Sequence, residues 1–336
     1  MRLRDVFVKA LKELGIDCIS TEIKRITESD DPLQSMAYHV IMGKAQVCRG
    51  LKGKVFNLNQ ECENPAYVGK CDDPILTRND LLEKAKDFPF IVIDCSFYDF
   101  HTEKEKKKLK LQIQQCLGVI RKFMWDERLV ITHKDFGVGV FYPSTAKFIK
   151  EMGLKDIILL DPNGDEVFEG QRAECYIIGG IVDKTGNKRG WTSKIGENLR
   201  REGISFRSMR IELRGDVIGV PDRLNTIVEI VLRVVLDGED VEKAVRSVQS
   251  HLVAKWRLRR ELPKRTIRID VNGKPFRVVR KSEIKSFDWL NIRPKDFYEA
   301  CSELGYLVID DEWLERILRN STFDESKNRY IFKGFN

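Results

Sequence analysis

From Pro89 onward the chain alternates between two hydrophobic periods. Phe90-Ile-Val-Ile-Asp94, Leu129-Val-Ile-Thr132, Ile157-Ile-Leu-Leu160 and Tyr176-Ile-Ile-Gly-Gly-Ile-Val-Asp183 are short, near-continuous apolar runs. Strands read this way when helices cover both faces of their sheet. Between the runs, apolar residues recur at helical spacing. Lys104 to Met124 places Leu109, Ile113, Cys116, Leu117 and Ile120 on one face and lysines on the other, and Ser144 to Met152 is a second helix. After Asp183 come a basic helix and a strand over Phe206 to Leu213. The turn Arg214 to Asp222 then feeds a helix with Leu224, Ile227, Val228, Val231 and Val235 on its buried side. The alternation predicts one α/β domain on a mainly parallel sheet over residues 87–262. Its ligand edge lies where the strands end, so the stretch from Cys175 to Thr226 gathers two strand ends, two glycine-bearing turns and two aspartates there.

The flanks have other patterns. Residues 1–86 predict a small α+β domain. Val6, Ala10, Leu11 and Leu14 mark a helix closed by Gly15, and Ser35 to Phe56 alternates as short strands with turns at Gly43, Gly50 and Gly53. Leu81 to Lys86 is a connecting helix. One long helix, Val241 to Leu262, ends the central domain at Pro263. Residues 263–336 form a second small α+β domain. It opens with a hairpin, Thr266 to Val271 and Phe276 to Arg280, about an Asn272-Gly273 turn.

Composition narrows the class. The 336 residues are 42% hydrophobic, enough to bury a large core. No apolar run approaches the ~18 residues of a membrane span, and the first residues carry no apolar signal core, which predicts a cytoplasmic protein with no membrane partner. The eight cysteines form no CxxC pair, and Cys48, Cys62 and Cys71 fit no zinc spacing well. No metal site is expected; buried free thiols are the plain reading of the cysteines, and a Cys62–Cys71 bridge is the alternative for a hyperthermophilic source. The net charge of +7 is unevenly placed: Lys104 to Lys122 holds seven bases and one acid, Lys184 to Arg214 nine and three, and His251 to Arg265 six and one. A body that is otherwise acidic with three basic segments suits a polyanionic partner.

Common chemistries drop out. There is no GxxxxGK[ST] loop, no GxSxG, and no GxGxxG opening a helix. The four histidines, His39, His101, His133 and His251, are isolated, which disfavours a metal centre or a triad.

Ile93-Asp-Cys-Ser-Phe97, Tyr176-Ile-Ile-Gly-Gly-Ile-Val-Asp183 and Val217-Ile-Gly-Val-Pro-Asp222 remain. These blocks resemble the motifs of the SPOUT-class tRNA methyltransferases that act on N1 of the purine at tRNA position nine, archaeal members above all. The resemblance covers the central domain. It implies a SPOUT domain with a C-terminal trefoil knot, an exception to the rule against knots, acting as a monomer on tRNA with S-adenosylmethionine bent into the knot. Carried onto this sequence, it implies a cofactor site of Ile178, Gly179, Gly180, Val182, Trp191, Lys194, Leu213, Gly215, Ile218, Gly219, Val220 and Pro221.

Guanine N1 holds a proton at neutral pH, so its methylation needs a base, whereas adenine N1 needs positioning only. The resemblance makes Asp183 that base and Asp222 a second acid. Asp94 joins them as a catalytic candidate, able to orient substrate or water. Each has a plainer alternative: Asp222 as a helix N-cap, Asp183 as a turn acid, Asp94 as a structural carboxylate. The candidate RNA contacts are Lys107, Lys108, Lys110, Lys188, Arg189, Arg201, Lys255, Arg257, Arg259 and Arg260. Two acids lean the reading towards dual guanine and adenine specificity. The competing readings are a non-catalytic RNA-binding or assembly factor on a SPOUT-like scaffold and a nucleotide-dependent α/β enzyme.

Overall fold

Seven strands build the central sheet of this chain, whose computed structural model describes residues 1–59, 61–183, 188–213 and 220–334. In space they run Val140–Tyr142, Leu129–Thr132, Phe90–Asp94, Cys175–Gly179, Ile157–Leu160, Arg207–Arg210 and Glu166–Val167. Every described pairing is parallel. Three strands keep the bounds that the apolar runs predict. The one expected over residues 176–183 stops at Gly179, and that over 206–213 shortens to Arg207–Arg210. Val140–Tyr142 and Glu166–Val167 are too short for a period to reveal.

Val92, Val130, Leu159 and Ile177 pack on one face against Phe148 and Ile149 of the Thr145–Met152 helix and Ile195 and Leu199 of the Trp191–Arg201 helix. The alternate residues Ile91, Ile93, Ile131, Ile158, Tyr176 and Ile178 are buried as well, so both faces are covered. Each such aliphatic side chain contributes about 1.5–3 kcal/mol by leaving water. The Glu103–Ile120 and Leu224–Asp237 helices pack on each other, and Gln112 Oε1 accepts the Leu224 N–H at 3.0 Å.

The N-terminal sheet has the order Gln46–Arg49, Pro65–Gly69, Cys18–Thr21, Lys54–Asn57. Of the strands expected over Ser35 to Phe56, Gln46–Arg49 and Lys54–Asn57 form, while the first part of the stretch is a helix, Pro32–Ile41. Asp31 Oδ1 caps it by accepting the Gln34 N–H at 3.1 Å, and Pro32 presets its first turn. Gln34 Nε2 then donates to the Arg121 carbonyl at 3.1 Å, and Arg78 pairs with Glu127 at 2.7 Å. The cysteine expectation also changes: the bridges are Cys18–Cys62 and Cys48–Cys71. Strand register decides this, because Cys48 stands opposite Tyr67, whose strand delivers Cys71. Cys18 stands between Asn57 and Pro65, the ends of the segment that holds Cys62.

The described residues fall into two compact units, one of residues 1–213 with 222–241 and one of 220–221 with 242–334. In the second, the single helix expected from Val241 breaks into Val241–Val248 and His251–Glu261, because the Ser250 hydroxyl restarts the backbone by accepting the Val253 N–H. Leu258 of the latter and Leu262 just beyond it join Val279, Phe287 and Phe297 in a core. Five strands complete this unit, in the order Tyr306–Ile309, Lys274–Arg280, Ile267–Val271, Arg329–Phe332, Ser321–Asp324. The Asn272-Gly273 hairpin forms as expected, with φ values of 53° and 83°, the pair of positive angles that a type I′ turn demands. Among the described residues no helix is long and apolar enough to cross a membrane.

Candidate active site

Parallel pairing sets Gly179 opposite Asp94, so two strands end together at one edge of the sheet. The Gly180 N–H continues the pairing by donating to the Asp94 carbonyl at 2.7 Å. A Cβ on Gly180 would lie 2.7 Å from Cys95 Sγ and 2.9 Å from that carbonyl, so only glycine lets the chains approach this closely. The chain then curls, with the Ile181 N–H on the Gly179 carbonyl at 2.8 Å. Val182 is buried and its N–H donates to His101 Nε2 at 3.0 Å. Asp183 follows, exposed, and its Oδ2 accepts the Lys188 N–H at 3.0 Å.

Lys188 is the largest departure from the sequence reading. It was expected on RNA, yet its ammonium sits 2.6 Å from Glu105 Oε1, with side-chain exposures of 6% and 1%. Glu105 Oε2 meanwhile accepts the Thr102 N–H at 2.9 Å, closing a capping box on the Glu103–Ile120 helix. One carboxylate thus starts a helix and anchors the chain that returns from Asp183. Desolvation keeps Lys188 from serving as a phosphate contact.

Asp94 also changes role. It is 2% exposed, its Oδ1 accepts the Ser96 N–H at 2.9 Å, and its Oδ2 accepts the Thr145 hydroxyl at 2.6 Å. Thr145 in turn meets Thr132 at 2.7 Å. Both oxygens are thereby engaged, which suits a residue that fixes the sheet edge better than one that orients substrate. Asp94 borders a cleft of about 240 Å³ with Ser96, His133, Thr145 and Asn198. Burial pushes the neighbouring Cys95 thiol up, so it is no nucleophile.

Asp222 is exposed and lies outside the Leu224–Asp237 helix, whose N-cap is Arg223, with the Leu224 N–H held by Gln112. The capping alternative therefore loses its support. Ile178, Val182 and Leu213 are buried, Val220 and Pro221 half-buried, and Lys194 exposed. Gly215, Ile218 and Gly219 lie outside the described residues. Trp191 opens its helix after the left-handed Gly190 and packs on Phe97 at 5.1 Å, with Phe100 and His101 edge-on at 6.1 Å.

The basic residues divide. Lys107, Lys110, Arg189 and Arg201 are exposed and Lys108 half-buried. The 251–261 helix engages most of its charge with other side chains of the protein. Lys255 pairs with Glu299 at 2.6 Å, Arg259 pairs with Glu303, and Arg257, 5% exposed, lies 4.4 Å from the Trp289 ring centroid. Of the four expected there, Arg260 is exposed, set over Trp256. Sequence reasoning missed His101, Glu105 and Asp161. Asp161 ends a strand as Asp94 does, and its Oδ2 accepts the Ser193 hydroxyl at 2.6 Å. That strand-end position was its available signal. His101 and Glu105 had none beyond the Thr102-to-Glu105 capping spacing.

Comparison with known proteins places this geometry. Family models described as the N and C domains of tRNA (guanine(9)-/adenine(9)-N1)-methyltransferase match residues 4–84 and 255–332. One described as tRNA (guanine(9)-N(1))-methyltransferase TRM10/TRM10A matches residues 74–249. The tRNA (guanine(9)-/adenine(9)-N1)-methyltransferase of Thermococcus kodakarensis is 38% identical across 92% of this chain and 90% of its own. The tRNA (adenine(9)-N1)-methyltransferase of Sulfolobus acidocaldarius is 39% identical across 74% and 85%. Among solved structures, the dual-specific Trm10 of Thermococcus kodakaraensis aligns with TM-score 0.59 at 30% identity, covering 72% of this chain and 98% of that one. Sulfolobus acidocaldarius Trm10 in complex with S-adenosylhomocysteine aligns with TM-score 0.63 at 27% identity, covering 91% and 100%. With a relative of this identity spanning nearly the whole of both sequences, the chain belongs to the tRNA (guanine(9)-/adenine(9)-N1)-methyltransferase family.

Proposed function

We propose that this protein methylates N1 of the purine at position nine of tRNA, with S-adenosylmethionine as donor, and that it accepts both guanine and adenine. The observation that carries the reading is the strand-end turn from Gly179 to Asp183. Its N–H groups at Gly180, Ile181 and Val182 point inward to protein acceptors. What the turn offers a cofactor is therefore carbonyl oxygens and apolar contact from Ile178 and Val182. That chemistry fits an adenosyl group, whose exocyclic amine donates, and a sulfonium needs no phosphate cradle. S-adenosylmethionine supplies the electrophilic methyl. The protein supplies geometry and, for guanine, a base.

Asp183 is the base in this reading. It is exposed at the end of the turn and its Oδ2 is oriented by the Lys188 N–H. Asp222 is the second acid. The C-terminal part of the 87–262 domain is read as tied in a trefoil knot, and the protein as a monomer. Residues 1–86 and 263–336 are read as two further domains that add grip on the tRNA around the 87–262 catalytic domain, with Lys107, Lys110, Arg189 and Arg201 as phosphate contacts. The target purine must be unstacked to present its Watson–Crick edge. The double base assignment of the Thermococcus relative supports acceptance of both purines.

Nucleoside mass spectrometry tests this. Transcripts bearing G or A at position nine are incubated with protein and S-adenosylmethionine. N1-methylguanosine and N1-methyladenosine are both expected. A single product restricts the base, and no product despite cofactor and tRNA binding favours the non-catalytic alternative.

A further inference from the structure

We propose that His101 is a positioning residue for methyl transfer: its neutral imidazole pins the Val182–Asp183 turn to the segment that opens the Glu103–Ile120 helix. The inference rests on Asp183 lying beside the reacting atoms. His101 is 4% exposed. Its Nδ1 is 3.0 Å from the Phe97 carbonyl and 3.2 Å from the Tyr98 carbonyl, both acceptors, so Nδ1 carries a proton. Its Nε2 is 3.0 Å from the Val182 nitrogen, a donor, so Nε2 is bare. The neighbours alone thus fix the tautomer.

The turn is suspended at two points four residues apart on one segment. His101 holds Val182, and Glu105 holds Lys188, whose N–H holds Asp183. Val182 is buried, so loss of the imidazole acceptor leaves its N–H without a partner in a dry site, and the turn must shift to satisfy it. A displacement of about 1 Å at a reacting group is enough to lower turnover about 100-fold.

The test uses the full chain, S-adenosylmethionine and a tRNA transcript with G at position nine. His101→Phe keeps a ring against Trp191 and removes the acceptor. His101→Gln restores an acceptor near the Nε2 position. His101→Phe is expected to lower kcat by about 10- to 100-fold, with KM for cofactor and tRNA within about threefold and a melting temperature lower by only a few degrees. His101→Gln is expected to recover most of the loss. In an Asp183→Asn background, His101→Phe is expected to add less than about threefold, because the group it positions is already disabled. Unchanged kcat in His101→Phe overturns the proposal. So does a loss confined to KM, or a His101→Gln enzyme that folds and is as slow as His101→Phe. If His101→Phe fails to fold, kcat of His101→Asn, whose amide cannot span to Val182, against His101→Gln decides instead: equal rates overturn the proposal. Full guanine activity in Asp183→Asn removes Asp183 as the base. His101 then stands only if His101→Phe still lowers kcat.

Discussion

The ammonium of Lys188 and the carboxylate of Glu105 form an ion pair of 2.6 Å at side-chain exposures of 6% and 1%, directly behind Asp183. A pair so buried gains little over an apolar substitute, because both charges lose their water, but breaking it leaves one charge stranded. Lys188→Met should cost about 3–5 kcal/mol in urea unfolding. Adding Glu105→Gln, which removes the buried carboxylate's charge and keeps an oxygen for the Thr102 cap, should recover more than half. An additive double variant would show that the two side chains do not interact.

Asp183 is the next residue to change. Adenine N1 presents a lone pair, whereas guanine N1 must lose a proton, so a base matters for one purine only. Asp183→Asn should lower guanine methylation by about 10²–10⁴-fold, leave adenine methylation within about tenfold, and leave cofactor affinity near normal. Parallel single-turnover rates on the two transcripts read this directly. Equal losses on both purines would make Asp183 a geometric element rather than a base.

Long-range packing marks the limit of what the sequence disclosed. The strands at Phe90, Leu129 and Ile157 were legible because continuous apolar runs flanked by helices have one economical arrangement. The motif ending in Asp183 was legible through its resemblance to a family block, and one of its glycines, Gly180, is required by a 2.7 Å approach to Cys95. The partners of Lys188 and Val182 were not, since Glu105 and His101 lie 83 and 81 residues away and look like an ordinary helix start. Charge density misled in the same way: the 251–261 segment reads as an RNA-binding helix until Glu299 and Glu303 from another helix meet it. Disulfide pairing likewise required strand register. Local patterns report periodicity, and charge neutralisation across 40 or more residues has none.

That division of charge predicts where tRNA affinity resides. Lys107 and Lys110 are exposed, whereas Lys255 and Arg259 are neutralised by glutamates. Every phosphate that a variant no longer neutralises takes about 0.7–0.9 from the slope of log affinity against log salt. Lys107→Glu with Lys110→Glu should therefore weaken tRNA binding most at low salt and flatten that slope by about one to two. Arg259→Glu should mainly lower thermal stability, by setting a carboxylate against Glu303. A salt slope unchanged in the first variant would remove that helix from the RNA interface.

Acid stability of the C-terminal unit hangs on Asp296. Its Oδ2 accepts the Arg293 backbone N–H at 2.8 Å and its Oδ1 the Arg293 guanidinium at 3.0 Å, at the start of the Pro294–Glu303 helix. The Arg293 side chain, aided by that backbone donor, holds the carboxyl down to about 2. A carboxyl depressed on folding stabilises fully above its unfolded value of about 4, and the contribution fades as pH falls from there through about 2. Asp296→Asn should therefore cost about 1 kcal/mol at pH 7, the scale of a helix cap whose arginine is open to water. The difference should shrink below pH 4 and vanish only below about pH 2 in urea titrations. A gap between wild type and variant that stays constant across this range would mean that the arginine contact is not what depresses the carboxyl.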